Sequence, residues 1–279
     1  MTSTESGTAA AESPPRPLED GFPAVRASLA DAERLLVCLD FDGTLAPIVD
    51  EPDAARPTDD NRRAVARLAD HQDVTTAVVS GRALRDVRDR IDGPAIYAGN
   101  HGLELARRGS IAVHPVARKR AARIDRLCAV LETTLASIPN VRIENKRLSG
   151  TVHFRSVPPA ARPVARRLTT AVFEAFSGGA LELSRGKRIL EIGPSIPWGK
   201  GNAVELIAAD KPPGTATVYV GDDVTDESAF RAVEPGGIGV RVGGDGPSAA
   251  SYRVESPAGV ASLLSLLEDV VSPDPVRRP

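Results

Sequence analysis

The sequence predicts an α/β fold, a parallel sheet wound on both faces by helices and interrupted by a smaller α/β insert. The short continuous apolar run Leu35–Leu39 suits a strand buried on both faces, Val74–Val79 reads as a second buried strand, and Thr217–Val220 as a further strand. Helix-patterned stretches alternate with these runs, as in a doubly wound sheet. Between about Leu105 and Ile189 the rhythm breaks. There Val141–Glu144 and Thr151–Phe154 alternate apolar with polar residues, as half-buried antiparallel strands do.

Each element has its own signal. Residues 1–20, rich in Thr, Ser, Ala, Glu and Pro, carry too little apolar surface to fold alone and are expected to be a disordered tail. The strand Leu35–Leu39 runs into Asp40, and Pro57-Thr58 then opens a helix with Ala64, Val65 and Leu68 on one face. Val74–Val79 ends at Ser80-Gly81-Arg82, a charged helix follows with Leu84, Val87 and Ile91, and Ala95–Ala98 precedes Gly99-Asn100-His101-Gly102. Within the insert, helices are expected around Ile124–Leu135 and Val164–Phe176, and Leu181–Leu183 and Ile189–Ile192 flank a Ser-Arg-Gly-Lys turn. The alternating grammar resumes with a helix over Asn202–Ala209, the strand that ends at Gly221-Asp222-Asp223, a helix over Asp226–Val233, the strand Ile238–Val242 and an amphipathic helix Ser262–Val271. The expected division is a core of residues 21–105 plus 190–271, a cap of residues 106–189, and a second tail of residues 272–279.

Composition excludes several classes. The formal net charge of −2 lacks the basic excess of a protein built around a nucleic-acid backbone. No apolar stretch approaches the roughly 18 residues of a membrane-spanning helix. The start of the chain lacks the basic and apolar pattern of a secretory signal, so a cytoplasmic protein, monomeric and acting on a small molecule, is expected. The only cysteines, Cys38 and Cys128, make no disulfide framework and are expected to be small buried hydrophobes.

The chemistry is signalled by where polar clusters fall. Asp40, Ser80 and Asp222 each follow a buried strand, and ligands of open α/β sheets bind beyond the carboxyl ends of the strands. Asp40, Asp42, Asp222, Asp223 and Asp226 would crowd there. Two like charges about 4 Å apart repel by roughly 4 kcal/mol at an effective dielectric near 20. Such a cluster calls for raised pKa values or a bound hard cation, and Mg²⁺ fits an all-oxygen site of this charge. In Asp40-Phe41-Asp42-Gly43-Thr44 a strand-end carboxylate can attack phosphorus, and Asp42 can serve as general acid and then base. Gly43 permits the tight turn, and Thr44 offers a hydroxyl and an amide near a phosphate. The alternative is a simple Asp-Gly turn after a strand.

Asp40–Thr44, Ser80, Lys200 and Gly221-Asp222-Asp223 resemble, in order, the four signature motifs of the haloacid dehalogenase superfamily. That resemblance implies a Rossmann-like core, an aspartyl nucleophile, Mg²⁺ and phosphoryl transfer. It implies that Ser80, with Gly81, Arg82 and Thr44, binds phosphate, and that Lys200 holds nucleophile and phosphate together. It also implies that Asp222 binds Mg²⁺ beside the Asp40 carboxylate and the Asp42 backbone carbonyl, with Asp226 binding directly or one layer out.

Finer motifs are similar to those of the trehalose-6-phosphate phosphatase family. They are Gly99-Asn100-His101-Gly102-Leu103-Glu104, Glu144-Asn145-Lys146 with Ser149, His153 and Arg155, then Gly186-Lys187, Glu191-Ile192 and Gly221–Glu227, over about Leu36 to Val233. One departure is Gly193, where that family often has arginine. The resemblance implies a sugar phosphate substrate contacted by Asn100, His101, Lys146, Ser149, His153, Arg155, Lys187 and Glu191. Each lid residue has an alternative as a solvated strand residue, and His71 and His114 are expected at the surface. Rival readings are a phosphatase of sucrose phosphate, mannosyl-phosphoglycerate or hexose phosphates, and a non-catalytic binding module.

Overall fold

The computed structural model describes residues 13–186 and 188–271. In chain order the elements are β1 (Arg16–Pro17), α1 (Leu18–Leu29), β2 (Arg34–Leu39), α2 (Asp59–Ala69), β3 (Val74–Val79), α3 (Leu84–Arg88), β4 (Ile96–Gly99), β5 (Glu104–Arg107) and β6 (Ser110–Val113). The chain continues through α4 (Pro115–Leu135), β7 (Arg142–Asn145), β8 (Gly150–His153), α5 (Arg162–Ser177), β9 (Leu181–Gly186) and β10 (Ile189–Pro194). It ends with α6 (Lys200–Ala209), β11 (Thr215–Gly221), α7 (Glu227–Val233), β12 (Ile238–Val242), β13 (Tyr252–Val254) and α8 (Pro257–Val271). Among the described residues no helix is long and apolar enough to cross a membrane.

The larger sheet has the order β1-β13-β12-β11-β2-β3-β4-β5-β6. Its pairs are parallel except β4–β5 and β5–β6. From β2 the chain winds one way to β3 and β4, and from β11 it winds the other way to β12 and β13. The switch therefore lies between β2 and β11, whose last paired residues are Leu39 and Val220.

The unbroken apolar run of β2 supplies both layers of the core. Leu35, Val37 and Leu39 join the cluster beneath α1, α2 and α8, while Leu36 and Cys38 join the one beneath α6 and α7. Helix α2 starts where Thr58 accepts the Asn61 N–H, with Asp59 and Asp60 in the first turn.

The smaller sheet, β7-β8-β10-β9, is antiparallel throughout. One face packs on α4 and α5 through Ile124, Leu131, Val152, Leu190 and Ile192. By register the opposite face carries Glu144, Thr151, Glu191 and Ser184 in one cross-sheet row.

Three boundaries differ from the sequence expectation. Residues 16–20 are structured: Arg16 pairs with Tyr252 in β1, and α1 buries Leu18, Val25 and Leu29. That apolar stripe is sparse and interrupted by Gly21 and Pro23, so it does not read as a helix face. Residues 1–12 and 272–279 lie outside the described residues. The core sheet runs on through the β5–β6 hairpin to Val113, held by the antiparallel pairing of β6 with β5, although β6 is a four-residue, mostly exposed edge strand. Conversely, β10 from Ile189 to Pro194 belongs wholly to the cap sheet, drawn there by its pairing with both β8 and β9.

Buried Asn61 ties the layers together, its Nδ2 donating to the carbonyls of Leu45 at 3.0 Å and Pro257 at 2.9 Å. Asn61→Ala leaves the Pro257 carbonyl without this donor and is expected to cost about 1–3 kcal/mol. A lower denaturant midpoint at unchanged slope would be the measured result.

Candidate active site

Asp40 follows β2 directly, and its backbone N–H donates to Val220 of β11. Its carboxylate is only 5% exposed and stands 2.8 Å from Nζ of Lys200, the first residue of α6. The same ammonium lies 2.7 Å from Oδ1 of Asp226, in the short turn after β11. Asp226 also accepts from the Tyr219 hydroxyl and from the backbone N–H groups of Asp222 and Asp223, at 3.1 and 2.9 Å. Four donors thus occupy Asp226, which puts it behind Asp222 and Lys200 as their support.

Asp40, Asp222 and Asp226 each bring an oxygen within 4.8 Å of the others. Burial first, then the neighbouring Asp226 and Asp222, hold the Asp40 carboxyl well above the ordinary range, against the pull of Lys200. Burial and then Asp226 push the Asp222 carboxyl up to about 7. Burial alone would lower the Lys200 pKa, but Asp226 and Asp40 outweigh it and the group is shifted upward, so it stays charged. Oδ1 of Asp222 is buried with no hydrogen-bond partner. An orphaned carboxylate oxygen in a crowded acidic cluster is the donor set that a hard divalent cation takes. The Asp-Gly turn serves this cluster. Gly43 has φ 84°, and a Cβ there would lie 2.1 Å from Oδ2 of Asp222.

The other motif residues surround this point. Thr44 is fully buried and its Oγ1 has no hydrogen-bond partner, while Ser80 Oγ accepts the Arg82 N–H at 3.2 Å. The Arg82 side chain departs from the expected phosphate contact. Its Nε and Nη2 clasp the two oxygens of Asp42 at 2.7 and 2.6 Å, Nη1 donates to Asp86 at 2.8 Å, and Nη2 also reaches the Pro52 carbonyl at 2.8 Å. The planar guanidinium matches two carboxylates, so its donors are already committed. With the Asp42 side chain on Arg82, its backbone carbonyl is what remains for a cation role. Gly81 gives its carbonyl to Lys146 Nζ at 3.0 Å.

The expected sugar residues separate into two sets. Asn100, His101, Ser149 and Glu191 line a crevice of about 320 Å³ that also reaches Lys200 and Trp198. His101, at φ 56°, presents Nε2 3.8 Å from Glu191 Oε1, and Lys146 Nζ stands 3.9 Å from the same oxygen. Burial would raise the Glu191 pKa, but His101, Lys146 and Lys200 outweigh it and bring it down to about 2. Asn100 and Ser149 also bond one another, Ser149 Oγ donating to Asn100 Oδ1 at 2.5 Å, while Asn100 Nδ2 donates to Glu104 at 2.9 Å.

The second set is used elsewhere. His153 Nε2 is 2.9 Å from Glu144 Oε2, and Arg155 Nη1 donates at 2.9 Å to the Val49 carbonyl of the core, so neither lines the crevice. Lys187 lies outside the described residues. His114, expected at the surface, is half-buried against Trp198 with ring centroids 4.9 Å apart.

Residues missed in the sequence include Tyr219, Trp198, Asp86 and Arg90. A tyrosine in a buried strand must find a partner for its hydroxyl. Arg82, Asp86 and Arg90 stand at i,i+4 steps and are bridged at 2.8 Å in each pair. Gly43→Ala, strained and driven against Asp222, is expected to destabilise the fold by about 1–3 kcal/mol, read by thermal or denaturant unfolding.

The family model described as trehalose-phosphatase matches residues 38–258. The trehalose-phosphate phosphatase of Mycobacterium ulcerans (strain Agy99) is 38% identical over 211 residues, which are 74% of this chain and 53% of that protein. That of Mycobacterium avium (strain 104) is 40% identical over 206 residues, 72% of this chain and 51% of that one. The chain thus spans about half the length of these curated relatives. Among solved structures, the C. albicans trehalose-6-phosphate phosphatase C-terminal domain shares the fold with a TM-score of 0.75 at 21% identity, covering 93% of this chain and 99% of that one. A trehalose-6-phosphate phosphatase related protein gives a TM-score of 0.74 at 24% identity, covering 84% and 96%.

Proposed function

The chain belongs to the trehalose-phosphatase family, and on that premise we propose that it hydrolyses trehalose 6-phosphate to trehalose and phosphate through an aspartyl-phosphate formed on Asp40. The observation that carries this is the buried Asp40 carboxylate held 2.8 Å from Lys200, which itself lines a crevice together with His101 and Glu191.

Asp40 attacks phosphorus in line, and Asp42 protonates the departing sugar oxygen. To reach that oxygen Asp42 must give up at least one of its bonds to Arg82. It then takes a proton from the water that hydrolyses the acyl phosphate. Lys200, the Ser80 hydroxyl and the Thr44 hydroxyl offset charge on the transferring group. Asp40, Asp222 and the Asp42 carbonyl would hold Mg²⁺, with Asp226 supporting Asp222. When bound, the ion supplies further charge neutralisation on the phosphoryl oxygens. Glu191, ionised across the neutral range, accepts hydroxyl hydrogen bonds from the sugar, and His101 and Lys146 stand beside it.

Phosphate release from trehalose 6-phosphate, sucrose 6-phosphate and glucose 6-phosphate tests the substrate. A preference of about a hundredfold for the trehalose ester, roughly 2.7 kcal/mol in transition-state binding, is expected. A flat profile would remove trehalose and leave a phosphatase. Asp40→Asn is expected to lower kcat by at least roughly a thousandfold, and near-normal turnover in that variant would sink the mechanism.

The cation has a pH signature. The Asp222 pKa of about 7 in the fold lies above its unfolded value of 3.8. Between those values the cation-free fold holds the extra proton and gains stability as pH falls. Mg²⁺ competes with that proton, so its stabilising effect is expected to be larger near pH 8 than near pH 6. Equal rises in Tm with Mg²⁺ at both values would refute Asp222 as the ligand.

A further inference from the structure

The crevice extends past the residues that the proposed chemistry uses. Its remaining lining includes Glu182 and Ser184 of β9, Gly193 of β10 and Trp198, none of them assigned a part in the reaction. Register fixes how the strand residues stand to one another. Glu191 pairs with Ser184 and Gly193 pairs with Glu182, and directly paired residues of an antiparallel sheet project from the same face. Glu182 and Glu191 therefore share the crevice face, with Glu182 one pairing step further along the hairpin. Two residues of strand advance about 6.8 Å, a step comparable with one pyranose ring and its linkage. Between the two carboxylates the floor is open, since a Cβ on Gly193 would meet nothing within 4 Å. Trp198, the single tryptophan of the chain, is half-buried and offers the same crevice an aromatic wall.

We propose that Glu182, Gly193 and Trp198 form the subsite for the sugar ring remote from the phosphate. A hexose carries hydroxyls around its rim and C–H groups on its faces. Glu182 accepts hydrogen bonds from the rim, Gly193 leaves room for the ring, and Trp198 lies against its apolar face. Glu191, nearer Lys200, serves the phosphorylated ring, so that the two acidic residues of the β9–β10 hairpin count the rings of a disaccharide. A site that pairs a substrate hydroxyl discriminates against a ligand lacking it. The inference rests on the trehalose 6-phosphate reading and deepens it.

The test is the ratio of kcat/KM for trehalose 6-phosphate over glucose 6-phosphate, which has no second ring. In Glu182→Ala the ratio is expected to fall about tenfold, the scale of a lost hydrogen bond to a charged group. Gly193→Val, which raises the floor without touching either packed core, is expected to reproduce the fall. Glu182 is exposed and Gly193 has space, so both variants should keep the wild-type Tm. A wild-type preference that persists unchanged in Glu182→Ala would overturn the subsite while leaving the substrate assignment in place. Absence of any preference in the wild type would overturn the substrate assignment, and the subsite with it.

Discussion

The ammonium of Lys200 lies between Asp40 at 2.8 Å and Asp226 at 2.7 Å, and none of the three side chains is more than 5% exposed. Removing such ions from water costs roughly several kcal/mol each, which their mutual attraction offsets only with good geometry and further hydrogen bonds. The Tyr219 hydroxyl and the amides of Asp222 and Asp223 supply those bonds. The constraint reaches far into the fold. Asp40 comes from the end of β2, Asp226 from the turn after β11, and Lys200 from the start of α6, where the chain returns from the cap. The pairing of Leu39 with Val220 brings the first two to one level. Gly43 is needed because Asp222 occupies the space that a side chain would take.

The cap meets this centre through polar contacts. Lys146 donates to the Gly81 carbonyl, Ser149 to Asn100, Arg155 to the Val49 carbonyl, and Arg142 stands 3.0 Å from Asp53. The apolar side of the cap sheet is turned to its own helices, leaving the charged side for the crevice. A small buried apolar cluster, Leu103 of the core with Ala117 and Leu148 of the cap, packs beside these bonds, so the interface combines apolar burial with directional polar contacts. It also surrounds a sugar with hydrogen-bonding groups while the core retains the phosphate chemistry.

Much of this could be read from the sequence, for definite reasons. A strand covered on both faces is rich in β-branched and apolar residues, most continuously in Leu35–Leu39, so β2, β3 and β11 were legible, and so was the polar punctuation at Asp40, Ser80 and Asp222. The convergence of those three points followed from strand direction alone. Edge elements left no such trace. β1 is two residues long, and β6 is exposed along most of its length. The β9–β10 hairpin was legible from its turn, but a core boundary at residue 190 cuts through β10, whose whole length pairs within the cap sheet.

The sequence by itself determined the order of the elements, the acidic cluster and the residue types at the crevice, because these depend on local pattern and strand polarity. Tertiary structure alone decided how the long polar side chains are used. Arg82 follows a phosphate-loop motif yet turns to Asp42, forty positions earlier, since a fixed pair of carboxylates there satisfies its planar donors. His153 ends β8 on the crevice side and Arg155 lies in the turn after it, but His153 pairs with Glu144 and Arg155 donates to the Val49 carbonyl. Long side chains reach whatever acceptor the fold brings within hydrogen-bond distance, and that distance is set by contacts between segments far apart in the chain.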